Sequence, residues 1–184
     1  MRIARLPNLA FVPFVLIAIL ASTLPRPVYA IEDENPQLAQ LLADAEDEAI
    51  ELANDADDTQ NLISSDENWV NHALMLDRVK GHVQNLALII DKLSKAQNSG
   101  SELQKEAVEQ MLPMVKELSA NTTAAINYLN QNKSRPVSDL YHQYLKKNAE
   151  TARQLSSMIS SLVDYEKSMN EIQRLRSNLG VSGN

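Results

Sequence analysis

From about residue 36 onward, leucine-class side chains return every three or four positions, with Asp, Glu, Lys, Asn and Gln filling the gaps. That period is the mark of amphipathic helices. It is clearest at 66–97. There Trp69, Leu76, Val83 and Ile90 recur every seven residues, with His72, Val79, Leu86 and Leu93 three positions further on, an a/d seam of the coiled-coil kind. Upstream, Leu38, Ala45 and Leu52 run beside Leu42, Ala49, Ala56 and Ile63. Downstream, Val108, Val115, Thr122 and Leu129 run beside Met111, Leu118 and Ala125. The last segment sets Tyr141, Asn148, Leu155, Leu162 and Met169 beside Tyr144, Thr151, Met158, Tyr165 and Ile172.

Punctuation divides these runs into four helices, at about 36–63, 66–97, 101–130 and 136–178. Pro36 suits a first helical turn. Ser64-Ser65-Asp66-Glu67 and Ser99-Gly100-Ser101-Glu102 both fit a capping box, and Gly180 marks the last C-terminus. Short connections make sequential helices antiparallel neighbours. The expected architecture is all-α: an elongated up-down-up-down antiparallel four-helix bundle forming a single domain over 31–184. Pro113 should bend the third helix near Glu109 to Leu112, as a curve that follows the bundle or, in a sharper reading, as a hinge or pocket wall.

The first thirty residues follow another pattern. Arg2 and Arg5 precede an apolar stretch from Asn8 to Ala21, and Val28-Tyr29-Ala30 places small residues before a cleavage point. This is the three-part layout of a signal peptide, cut between Ala30 and Ile31. The rival reading, a retained anchor, needs about 20 apolar residues, and this run is shorter and contains Pro13. No lipobox cysteine is present. The product is expected to be exported, periplasmic or secreted, with no stable membrane span after cleavage.

Composition agrees with helices. The chain has 4 Gly, no Cys and 4% aromatic residues, so disulfides and thiol chemistry are excluded. Charge is lopsided. Residues 31–77 carry 14 acids and no Lys or Arg, and residues 31–184 carry 14 bases against 24 acids, a net charge of −10. Such a chain is a poor ligand for nucleic acid or anionic lipid.

Two places could hold a site. His72 falls on the core seam, at a level where antiparallel packing should bring Thr59, Thr122, Tyr144 and Asn148. These side chains would form a polar layer that sets register, or else a ligand-binding or metal-binding pocket. The second place is the first helix, where Asp44, Asp47, Glu48, Glu51, Asp55 and Asp58 stand three and four residues apart as one exposed acidic stripe. It would be a solvated face, or a docking strip for a basic partner or for weakly held divalent cations.

Other chemistry finds no foothold. No nucleophile elbow, P-loop or dinucleotide fingerprint occurs. Di-iron bundles need paired Glu-x-x-His motifs, and Asp139-Leu140-Tyr141-His142 offers that spacing only once. Asp55-Ala56-Asp57-Asp58 lacks the rest of a calcium loop. In outline the chain resembles periplasmic cytochrome-type bundles, but its first helix has neither Met nor His to ligate haem. No cofactor, bound metal or enzymatic activity is expected. The expected role is that of an exported, non-enzymatic interaction or scaffold protein of the cell envelope, the alternative being a small-ligand or metal-binding bundle centred on His72. The oligomeric state is left open. Met169, Ile172, Leu175 and Leu179 extend past the other helices, to cover the start of the first helix (the preferred reading) or to meet a second copy.

Overall fold

The structure, a computed structural model, describes residues 36–64, 68–96, 100–133 and 138–180. All of them lie in the compact unit Glu32–Asn184. The signal-peptide segment, most of the Ser64-Ser65-Asp66-Glu67 box and Ser99 lie outside the described residues. Four α-helices make up the fold: α1 (Pro36–Asn61), α2 (Trp69–Ala96), α3 (Glu102–Gln131) and α4 (Asp139–Asn178). A 3₁₀ turn, Leu62–Ser64, prolongs α1. Packing joins α1 to α2, α2 to α3, α3 to α4 and α4 back to α1. The molecule is thus an up-down-up-down antiparallel four-helix bundle, as the apolar period predicts.

Capping explains where the helices begin. Asn68 Oδ1 accepts from the backbone N–H groups of Val70 (2.9 Å) and Asn71 (3.3 Å), so α2 opens at Trp69 rather than at 66. At α3 the sequence holds two overlapping Ser-x-x-Glu/Gln signals. The box that forms is Ser101 with Gln104, each side chain bonded to the other's backbone N–H, while Glu102 pairs with Lys105 at 2.7 Å. Ser138 caps α4 through the Tyr141 N–H, moving its start from 136 to Asp139. Each cap satisfies amide donors that a bare helix end leaves unpaired. At the far end, Gly180 adopts φ 64°, a left-handed conformation that glycine reaches without steric cost. Helix α3 runs unbroken through Pro113, whose side chain is exposed on the solvent face.

The seams of α1, α2 and α3 form the core. Leu38, Leu42, Ala45, Ala49, Leu52 and Ala56 are buried on α1, Leu76, Val79, Val83, Leu86, Ile90 and Leu93 on α2, and Val108, Met111, Val115, Leu118, Ala125 and Leu129 on α3. Trp69 is half-buried at the bundle's end, with Lys133 Nζ 4.7 Å above its ring.

On α4 the expected seam holds only to Leu162. Tyr165, Met169 and Ile172 are 47%, 37% and 44% exposed, while before them Leu145, Ala149, Ala152, Ile159 and Val163 join the seam residues in the core. The cause is geometric. A strict seven-residue repeat drifts about 20° per heptad around a straight helix. Over the 40 residues of α4 that amounts to roughly 110°, enough to carry the stripe off the core. The pairs Lys167–Glu46 and Arg153–Asp57 lay this stretch of α4 alongside the start of α1, yet Met169, Ile172, Leu175 and Leu179 all remain exposed there.

Candidate functional site

Among the described residues, the buried polar side chains are Thr59, His72, Thr122, Asn148 and Thr151. They do not form the single layer expected from the sequence. Asn148 Nδ2 donates to Thr122 Oγ1 at 3.1 Å. Thr59 Oγ1 donates to the Asp55 carbonyl at 2.6 Å within its own helix. These residues lie where the core divides into two apolar clusters, a large one reaching from Leu38 to Val163 and a small one of Leu76, Ala125, Leu129, Tyr141 and Leu145.

His72 sits on the far side of that division. Its Nδ1 is hydrogen-bonded to the Tyr141 hydroxyl at 3.1 Å. Both side chains are fully buried, their rings meet edge-on at 5.4 Å, and Tyr128 stacks on Tyr141 at 5.8 Å. Tyr141 and Asn148 are seven residues apart on α4, about 10 Å along the axis, so the His72–Tyr141 and Asn148–Thr122 bonds stand at different levels of the bundle. Tyr144 is half-buried against the small cluster and joins neither pair. Burial pushes the Tyr141 phenol well above its ordinary ionisation range, because a phenolate there would lose its hydration. The arrangement can hold a proton in place and tie helices together.

The acidic face of α1 is not uniformly exposed either. Asp44, Asp47, Glu51 and Asp58 face solvent, whereas Glu48 and Asp55 turn towards α2 and are half-buried. Half-burying a carboxylate demands a partner, and His82 supplies it. Its Nδ1 lies 2.6 Å from Glu48 Oε1 and its Nε2 3.3 Å from Asp55 Oδ2. A ring facing a carboxylate at each nitrogen serves both as donor only when both nitrogens carry a proton. Asn85 Nδ2 adds a bond to Glu48 at 3.2 Å. On the other edge of α1, Glu46 meets Lys167 at 3.7 Å and Asp57 meets Arg153 at 3.6 Å. The acidic helix is thus tied on both sides to the more basic remainder, each exposed pair contributing about 0–1 kcal/mol.

One helical turn from His82, an open groove of about 520 Å³ lies between α1 and α2. Asp44, Asp47, Glu48 and Glu51 form one wall, and Asn85, Leu88, Ile89 and Lys92 the other. Leu88 is 63% exposed, an apolar side chain set beside four carboxylates. Sequence reading found the acidic wall and missed His82, Asn85 and Leu88. The signal was there in α2, where His82 lies three residues after Val79 on the flank of the seam, but only pairing with α1 shows what it meets.

Among the described residues, no cluster of three or more His, Asp or Glu side chains is arranged to hold a metal ion, and no helix is long and apolar enough to cross a membrane. The chain matches no family model, no curated protein and no solved structure.

Proposed function

We propose that this is an exported, non-enzymatic interaction protein of the cell envelope, which binds a cationic amphipathic segment of another protein in the groove between α1 and α2. One observation carries the reading: three exposed carboxylates, Asp44, Asp47 and Glu51, beside a Glu48 already held by His82 and Asn85, outnumber the cation Lys92 in an open groove shared with the exposed Leu88 and the part-buried Ile89. A helix with a basic side and an apolar side meets both requirements, setting its cations against the acidic wall and its apolar anchors on Leu88 and Ile89. The negative field of α1 speeds encounter with such a partner and disfavours acidic ones.

A synthetic Lys/Leu amphipathic helix peptide is the probe. Titration calorimetry at low salt should give saturable binding that weakens as salt rises. The triple substitution Asp44→Asn, Asp47→Asn, Glu51→Gln should weaken it about tenfold or more. These three side chains are exposed, so the variant keeps its fold. No heat of binding at low salt, or equal binding by the variant, overturns the assignment. Export has its own check: N-terminal sequencing of the protein recovered from its producing cell should begin at Ile31, and an intact Met1 start would refute processing.

A further inference from the structure

The C-terminal part of α4 inverts the logic of the bundle. Glu166, Asn170 and Gln173 are half-buried on its inner side, while Tyr165, Met169, Ile172 and Leu179 stand exposed. The exposed residues are not scattered. Leu155, Met158, Leu162, Tyr165, Met169, Ile172, Arg176 and Leu179 follow one another at alternating steps of three and four, the spacing of a seam that takes another helix.

Helix α3 covers only the first part of that seam. The contacts Thr122–Asn148 and Glu117–Lys147 fix the antiparallel register of α3 on α4. Followed residue for residue back to Glu102, that register reaches about residue 165 of α4. Beyond it α4 continues to Asn178 with no α3 beside it, and Leu103 in the first turn of α3 is itself 41% exposed.

We propose that this stretch of α4 is a self-association surface, which receives the same stretch of a second copy running antiparallel to it. The seam is its own complement about a two-fold axis between Met169 and Ile172. In that register Met169 packs on Ile172 of the second copy, and Ile172 on its Met169. The one charged residue of the seam, Arg176, comes level with Tyr165 of the second copy and with Asp164 on the flank beside it. A guanidinium over an aromatic face next to a carboxylate is a favourable pairing, and the two-fold makes it twice. Leu179, 75% exposed, then lies towards Leu103 of the second copy, in the place α3 leaves open. An overlap of about fifteen residues belongs to the small class of interfaces, below 1,200 Å², so the dimer is a weak one.

Sedimentation of the purified protein tests this. At about 100 µM the protein should sediment as a dimer that dissociates on dilution. Ile172→Asp should weaken the dimer at least tenfold with an unchanged helical circular dichroism spectrum, since Ile172 is exposed in the single copy. Arg176→Asp should weaken it as well, and adding Asp164→Arg in the same chain should restore it, because each copy then carries the exchanged pair. A monomer at that concentration overturns the proposal, as does a dimer indifferent to Ile172→Asp or a charge exchange that fails to restore association. A Leu179→Cys variant that rapidly forms a disulfide between copies would show parallel helices and equally refute the antiparallel pairing.

Discussion

His72 and Tyr141 join two helices that are not neighbours in the bundle. The 3.1 Å bond between Nδ1 and the phenol hydroxyl crosses the core diagonally from α2 to α4, with Tyr128 of α3 stacked on the tyrosine ring. Three helices are thereby held in one register at the end of the bundle where α2 begins.

Removing one partner of this buried pair should cost more than removing both. Tyr141→Phe and His72→Leu are each expected to lower the unfolding free energy by about 1–3 kcal/mol, since each strands a buried polar group. The double variant should lose less than the two single losses together. Urea unfolding of the four proteins gives the coupling directly, and additive losses would mean that the bond contributes nothing.

Tyr141 also sets an alkaline limit. Its phenol ionises well above its ordinary value in the folded protein and near 10 in the unfolded chain. A raised folded-state value means that stability is fully present below about pH 10 and falls as the pH climbs beyond it. Thermal melts between about pH 9 and 11.5 should show this decline, and Tyr141→Phe should flatten it. An identical slope in the variant would assign the decline to other groups.

The Thr122–Asn148 pair should behave as a register device. Asn148 is buried, and its Oδ1 accepts no hydrogen bond from the described residues, so the site is polar at a cost. Thr122→Val alone should destabilise by about 1–3 kcal/mol by stranding Nδ2. The joint change Thr122→Val with Asn148→Leu should be neutral or stabilising. Chemical denaturation distinguishes these outcomes, and a joint variant that unfolds more easily than the unsubstituted protein would show that the pair contributes net stability.

The His82 bridge should hold α1 more than it holds the rest of the fold. Replacing His82 by Ala leaves Glu48 and Asp55 half-buried without their shared partner. Amide exchange across Ala45 to Ala56 should then accelerate, while α3, which the bridge does not touch, stays protected. Equal acceleration in both helices would mean global destabilisation instead. Leu86→Ala serves as the contrast. As a buried truncation on the central seam it should cost about 2–5 kcal/mol and expose every helix together.

What the chain's order of residues determined alone is the local part. Heptad spacing identified the buried faces of α1, α2 and α3, because a helix brings residues three and four apart onto one side whatever it packs against. Short connections then dictated antiparallel neighbours. The acidic wall was legible for the same reason. What only the tertiary structure decided depends on pairs distant in sequence. His82 reads as a flank residue until α1 lies beside it with Glu48 and Asp55. Tyr141 reads as an apolar seam position until its hydroxyl meets His72 across the core. The outer stripe of α4 reads as core, because the repeat does not reveal that the stripe turns about the helix axis while α3 begins only level with about residue 165 of α4. Periodicity records which side of a helix is apolar, and packing settles what, if anything, comes to cover it.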